Sequence, residues 1–194
     1  MEGTKPVNKK LAAALSGGAV LVLALSGCGD DDNEKLNSWA KSVCDDVQPQ
    51  AKKIQSANAA IQKETSDTSD PKDVQKADSK AFQDMSDAYK AIGTAVDKAG
   101  APPVDDGETK RTNAVKELND ISASYAGLKQ RVDKLDTGNQ SKFADGLKDI
   151  ATELDRLSKS GSNALQKLEE GEVGEAMAKQ ESCKNASAPP PAEG

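Results

Sequence analysis

Apolar residues in this chain recur in alternating steps of four and three. In the first segment the stripe is Leu36, Ala40, Val43, Val47, Gln50, Ile54, Ala57 and Ile61; in the second it is Ala81, Met85, Ala88, Ile92, Ala95 and Ala99, led in by Val74 and Ala77. The third runs Ala114, Leu118, Ile121, Tyr125, Leu128, Val132 and Leu135. The fourth runs Phe143, Leu147, Ile150, Leu154 and Leu157, weakens at Gly161 and resumes at Ala164 and Leu168. A four-three repeat places these side chains along one face of a helix, and each such face must bury against another. No stretch alternates apolar and polar residues as a half-buried strand does.

The punctuation agrees with this reading. Asp70-Pro71-Lys72-Asp73 has the form of a helix start, with a capping carboxylate, proline at the first helical position and an acid in the first turn. Gly100-Ala101-Pro102-Pro103 has the form of a helix stop, and Asp136 to Asn139 of a turn. Pro49 falls inside the first helix and is expected to kink it. Gly171 sets off a shorter fifth segment, Glu172 to about Cys183, with Val173, Ala176 and Gln180 on one side. The predicted fold is all-α: an antiparallel up-down-up-down four-helix bundle with a short C-terminal fifth helix. The bundle domain spans 34–183, and the proline- and alanine-rich residues 184–194 read as a disordered tail.

Ahead of the bundle the pattern changes. Lys5, Lys9 and Lys10 precede a 15-residue apolar run, Leu11 to Leu25, which ends in Ser26-Gly27-Cys28. A positive start, a short apolar run and small residues at its end describe a secretory signal peptide over 1–27. The run is short for a membrane span, which takes about 20 apolar residues. Leu25-Ser26-Gly27-Cys28 resembles the lipobox of bacterial lipoproteins. That resemblance implies that Cys28 receives a diacylglycerol thioether and becomes the first residue of the mature chain. Residues 28–33 then form the lipidated cysteine and a polar tether, with Asp30-Asp31-Asp32 as its hydrated part.

Cleavage after Gly27 would remove three lysines and one glutamate, taking the formal charge from −6 to −8. An acidic chain lacks the basic footprint that nucleic acid requires. Anionic lipid would repel it mildly, so the acyl chains, not the protein surface, would hold it at a membrane. Leu, Ile, Val and Phe number only 24 of the 167 residues from Cys28 onward. That is a composition near the disordered range. The periodicity, not the apolar content, is what argues for a folded chain.

With Cys28 assigned to lipid, Cys44 and Cys183 remain for an oxidising compartment. In an up-down-up-down bundle the end of the fourth helix returns beside the start of the first, so the two belong at the same end. They are expected to form one disulfide that closes the bundle.

Few residues are suited to chemistry. The chain has no histidine, which removes the commonest general base and the usual zinc and haem ligand. It has no P-loop, dinucleotide fingerprint, haem attachment or nucleophile-elbow motif. Adjacent acids such as Asp45-Asp46, Asp105-Asp106 and Glu169-Glu170 point about 100° apart on a helix and make no catalytic couple on their own. Asp30-Asp31-Asp32 lacks the spacing of a calcium loop. No catalytic residue, metal or cofactor is expected. Trp39, the single tryptophan, packs around the disulfide or serves as an exposed binding anchor. Phe82 and Tyr89 sit one step off the second stripe and are expected to widen the core.

The sequence from about residue 8 to 183 resembles the small secreted lipoproteins of high-GC Gram-positive bacteria. The stretches that carry the likeness are LSGC, SWAKSVCDDVQP, GAPPVDDG and EVGEAMAKQESC. That family has no assigned activity, so the resemblance implies an address and an architecture, not a site. Three functions follow. The first is a membrane-tethered, non-enzymatic interaction or structural module on the outer face of the cytoplasmic membrane, with an unidentified envelope protein as partner. The second is a carrier or sensor of a small apolar ligand between helices, suggested by the alanine-rich seams. The third is a carboxylate enzyme, which would require a large cleft with converging acids.

Overall fold

The computed structural model describes residues 28–64, 69–160 and 163–187, and among these it is all-helical with no strand. The expected signal peptide, 1–27, and residues 188–194 of the expected tail lie outside the described residues. Three long helices come first: α1 (Cys28–Glu64), α2 (Pro71–Ala99) and α3 (Gly107–Val132). Then follow α4 (Gln140–Ser160), α5 (Asn163–Leu168), α6 (Glu172–Ala178) and α7 (Glu181–Ser187).

The helix ends follow local chemistry. Asp70 caps α2, its carboxylate accepting from the Lys72 N–H at 2.8 Å, with Pro71 at the first helical position where its missing N–H costs nothing. At the other end Gly100 takes φ +80°, a conformation that suits glycine, and its N–H returns to the Asp97 carbonyl at 3.2 Å. The turn before α4 is held by Asp136, whose carboxylate accepts from Gly138 N–H at 3.0 Å; Asn139 then caps the helix by accepting from Lys142 N–H at 3.1 Å. Gln75 on α2 closes the end of α3 from outside, donating to the carbonyls of Val132 at 2.9 Å and Leu135 at 3.1 Å. The Val132 carbonyl also accepts from the Leu135 N–H at 3.0 Å, so the end of α3 is closed from within the chain as well.

α2 packs against both α1 and α3. Two apolar clusters fill the spaces around it. One gathers Leu36, Trp39, Ala40 and Val43 of α1, Val96 of α2, Ala114 and Leu118 of α3, Leu168 of α5, and Val173 and Ala176 of α6. The other gathers Ala57, Ala81, Phe82, Met85, Leu128, Val132 and Ile150, the last from α4. Between them Ser86 and Ser122 form a reciprocal polar clasp: each hydroxyl donates to the other residue's carbonyl, at 2.9 and 2.8 Å. Tyr89 stacks on Tyr125 at a centroid separation of 5.5 Å beside it. Phe82 is fully buried and meets Tyr125 at 6.2 Å, so the aromatic residues do widen the core. At Gly93 α2 comes close to α3, where an added Cβ would sit 3.3 Å from Leu118 Cβ.

Several expectations about boundaries are corrected. The first helix begins ahead of the expected bundle boundary at 34, since α1 is helical from Cys28 through the residues expected as a polar tether. Acidic residues in a first turn are favoured by the positive end of the helix dipole, which accounts for a helix through Asp30-Asp31-Asp32. Asp31 to Lys35 are exposed and burial begins at Leu36. Pro49 lies inside α1, which continues on both sides of it. The fourth segment divides into α4 and α5, and the fifth into α6 and α7 at Lys179-Gln180. Helix α7 runs on to Ser187, so residues 184–187 of the expected tail are helical. Finally, α4 packs on α3, while α6 and α7 lie against α1 and α5 lies against α3. The layer expected to be one fourth helix is therefore made of pieces.

Candidate functional site: the disulfide end of the bundle

The sulfurs of Cys44 and Cys183 lie at disulfide distance, 2.03 Å, with 4.9 Å between Cα atoms and a separation of 139 positions in sequence. Cys44 follows Val43 on the buried face of α1, and Cys183 is carried back to it on α7. Next to the pair Asp45 accepts from Lys41 Nζ at 2.6 Å and from the Ser182 hydroxyl, a second link between α1 and α7. The hydrogen bond from Lys41, and then that from Ser182, hold the Asp45 carboxyl below the usual carboxylate range.

Trp39 lies one turn earlier. Its ring is 7% exposed, and its Nε1–H donates to the Gly100 carbonyl at 2.9 Å. The indole thus seals the cluster and satisfies the peptide group that ends α2, which places it in the core and not on the surface as an anchor. Trp39→Phe keeps most of the packing and leaves that carbonyl without its donor. It is expected to cost about 1 kcal/mol, read as a lower denaturant midpoint at an unchanged slope.

Around the rim lies a cleft of about 430 Å³ between the start of α1, the α2–α3 connection and the start of α6. Asp32, Asp105, Glu170 and Glu172 line it, all exposed, with Lys110 as the cation. Lys110 is engaged elsewhere, donating to the Lys167 carbonyl at 2.6 Å. Among the described residues no three potential ligands come together as a metal set. Arg111 ties α2 to α3 nearby by pairing with Asp97 and Glu108. Solvent-screened pairs of this kind contribute little to stability.

The sequence reading overlooked a second notable acid. Asp78 on α2 is 7% exposed and makes no hydrogen bond or ion pair among the described residues. Burial pushes its carboxyl up to about 6. The signal was available: Asp78 lies four residues from both Val74 and Phe82, on the apolar face of α2. Cys28 is the first residue of α1 and is distant in sequence from the pair at 44 and 183.

No helix among the described residues is long and apolar enough to cross a membrane. In comparisons with known proteins, no family model, curated protein or solved structure matches this chain.

Proposed function

We propose that the protein is a lipoprotein, held by acyl chains on Cys28 at the outer face of the cytoplasmic membrane, that serves the cell envelope as a non-enzymatic interaction or structural module. One observation carries this reading. Of three cysteines, two lie at disulfide distance, and the odd one closes an apolar run in the sequence LSGC. A disulfide suits an exported chain, and a leftover cysteine in that position suits lipid attachment. The resemblance to small secreted lipoproteins of high-GC Gram-positive bacteria points the same way. We read the fold as an up-down-up-down bundle. In support, early α1, late α2 and early α3 share one cluster, and late α1, early α2 and late α3 share the other. In this reading the exposed first turns of α1 lie between the lipidated cysteine and the first buried residue, Leu36.

The test is Cys28→Ala, expressed in a Gram-positive host fed an alkyne-tagged fatty acid. The parent chain is expected to carry the label and sediment with membranes, and the variant to do neither. Equal membrane association of both would remove the anchor from the proposal. For the module itself, cross-linking on intact cells should recover one specific envelope protein; recovery of none counts against it.

A carrier role is the second reading. It draws on a groove of about 530 Å³ between α1 and α2, whose floor includes Ala57, Ala60, Ala77 and Ala81. Glu64, Asp73, Lys76, Lys80 and Asp84 rim that groove, so an apolar ligand there would need polar ends. Saturable uptake of a fluorescent fatty acid, lost on Ala77→Leu, would favour it over the module.

A further inference from the structure

The two halves of the disulfide pair face different surroundings. Cys44 is 0% exposed, set in α1 beside Val43. Cys183 is partly exposed and lines a surface cleft of about 370 Å³ with Glu169, Gly174, Met177 and Lys184. Thiol–disulfide exchange proceeds by attack of a thiolate on one sulfur, and access decides which one. Of the two residues, Cys183 is the one that is partly exposed and lines a cleft.

The segment that carries Cys183 is also weakly held by itself. α6 and α7 are seven residues each, well below the roughly 12–15 at which an isolated helix persists. They stay in place through tertiary contact: Val173 and Ala176 buried in the cluster of Leu36, Trp39 and Val43, the Ser182–Asp45 bond, and the disulfide.

We propose that Cys183 is a thiol–disulfide exchange site for dithiol reductants, and that opening the bond there releases α6–α7 as a strap from α1. In the first step a reductant thiolate bonds to Cys183 Sγ. The Sγ–Sγ bond breaks, and its electron pair leaves on Cys44 Sγ, which takes up a proton. In the second step the reductant's other thiolate attacks its own sulfur in the mixed disulfide and expels Cys183 as the thiolate. The reductant ends as a disulfide, and the two cysteines have gained two electrons. The released strap uncovers the apolar face of α1 around Leu36, Trp39 and Val43. Nothing in this scheme depends on Cys28, so it stands or falls separately from the anchor.

The experiment uses the full chain, purified with its disulfide formed, so that no variant has to fold. Glutathione, a monothiol, is added under native conditions, the reaction is quenched with acid within seconds, and the adduct is mapped by peptide mass. The expected result is glutathione on Cys183 in at least about tenfold excess over Cys44. Adduct mainly on Cys44, an even split, or no reaction until denaturant is added overturns the exchange site. Dithiothreitol then supplies the dithiol, and Trp39 fluorescence reports on the strap. Acrylamide quenching is expected to rise several-fold on reduction while helical circular dichroism is largely retained; unchanged quenching of the reduced protein overturns strap release.

Discussion

Replacing Cys44 and Cys183 together by alanine is expected to lower the thermal midpoint by roughly 10–20 °C. The two cysteines are 139 positions apart, so the loop they close takes in most of the helices. In the chain-entropy description a loop of that length is worth about 5 kcal/mol, because the link removes conformations from the unfolded chain. A domain of this size has a total stability on the order of 5–15 kcal/mol, and few large apolar residues contribute to it here. Each kcal/mol moves the midpoint of a domain of this size by about 2–4 °C. Thermal unfolding followed by circular dichroism, with the parent under oxidising conditions as reference, measures the difference. A shift of only one or two degrees would mean that α6 and α7 lie outside the cooperative unit, or that the unfolded chain already keeps its ends together.

Asp78→Asn is expected to make the protein more stable at neutral pH, by up to about 3 kcal/mol. The sign follows from burial. The folded chain holds the Asp78 carboxyl at about 6, above the ordinary aspartate value of 3.8, with no side-chain hydrogen bond or ion pair among the described residues in compensation. Below the lower value the acid is neutral in both states and costs nothing extra. As pH rises through the interval, the unfolded chain loses its proton first and is favoured; above about 6 the penalty is fully present. The variant has no such titration, so its advantage should vanish near pH 4 and level off by pH 7. Urea titrations of both proteins at pH 4, 5.5 and 7 check this. A variant less stable than the parent at pH 7 would show that the charged carboxylate is held by a favourable partner.

Much of the bundle was legible because helix periodicity is a local property. The stripes through Val43, Met85 and Leu118 identify side chains that are buried. The Asp70-Pro71 start and the Gly100 stop are also where the helix ends fall, since capping involves only neighbouring peptide groups. The stretch after Cys28 misled for a related reason: a run of acids looks like solvated spacer, yet it also suits the first turn of a helix. The break between α6 and α7 had no comparable signal, as Lys179 and Gln180 are ordinary helix residues.

Cysteine parity and the even pairing of Cys44 with Cys183 came from the sequence, given Cys28 as the odd member. That one partner of the pair is closed off and the other open to a cleft did not, because exposure depends on which surfaces meet. Trp39 shows the same division. Its place on α1 is local information, but its bond to the Gly100 carbonyl, 61 residues away, exists only once α1 and α2 are packed together. The sequence by itself determined the helices, most of their ends and the faces they bury, since these arise from spacing and near-neighbour hydrogen bonds. Only packing in three dimensions decided that Asp78 is buried, that α4 packs on α3 while α6 and α7 cover α1, and which cysteine of the pair is partly exposed. Those outcomes depend on how whole faces fit, and no spacing along one helix encodes that.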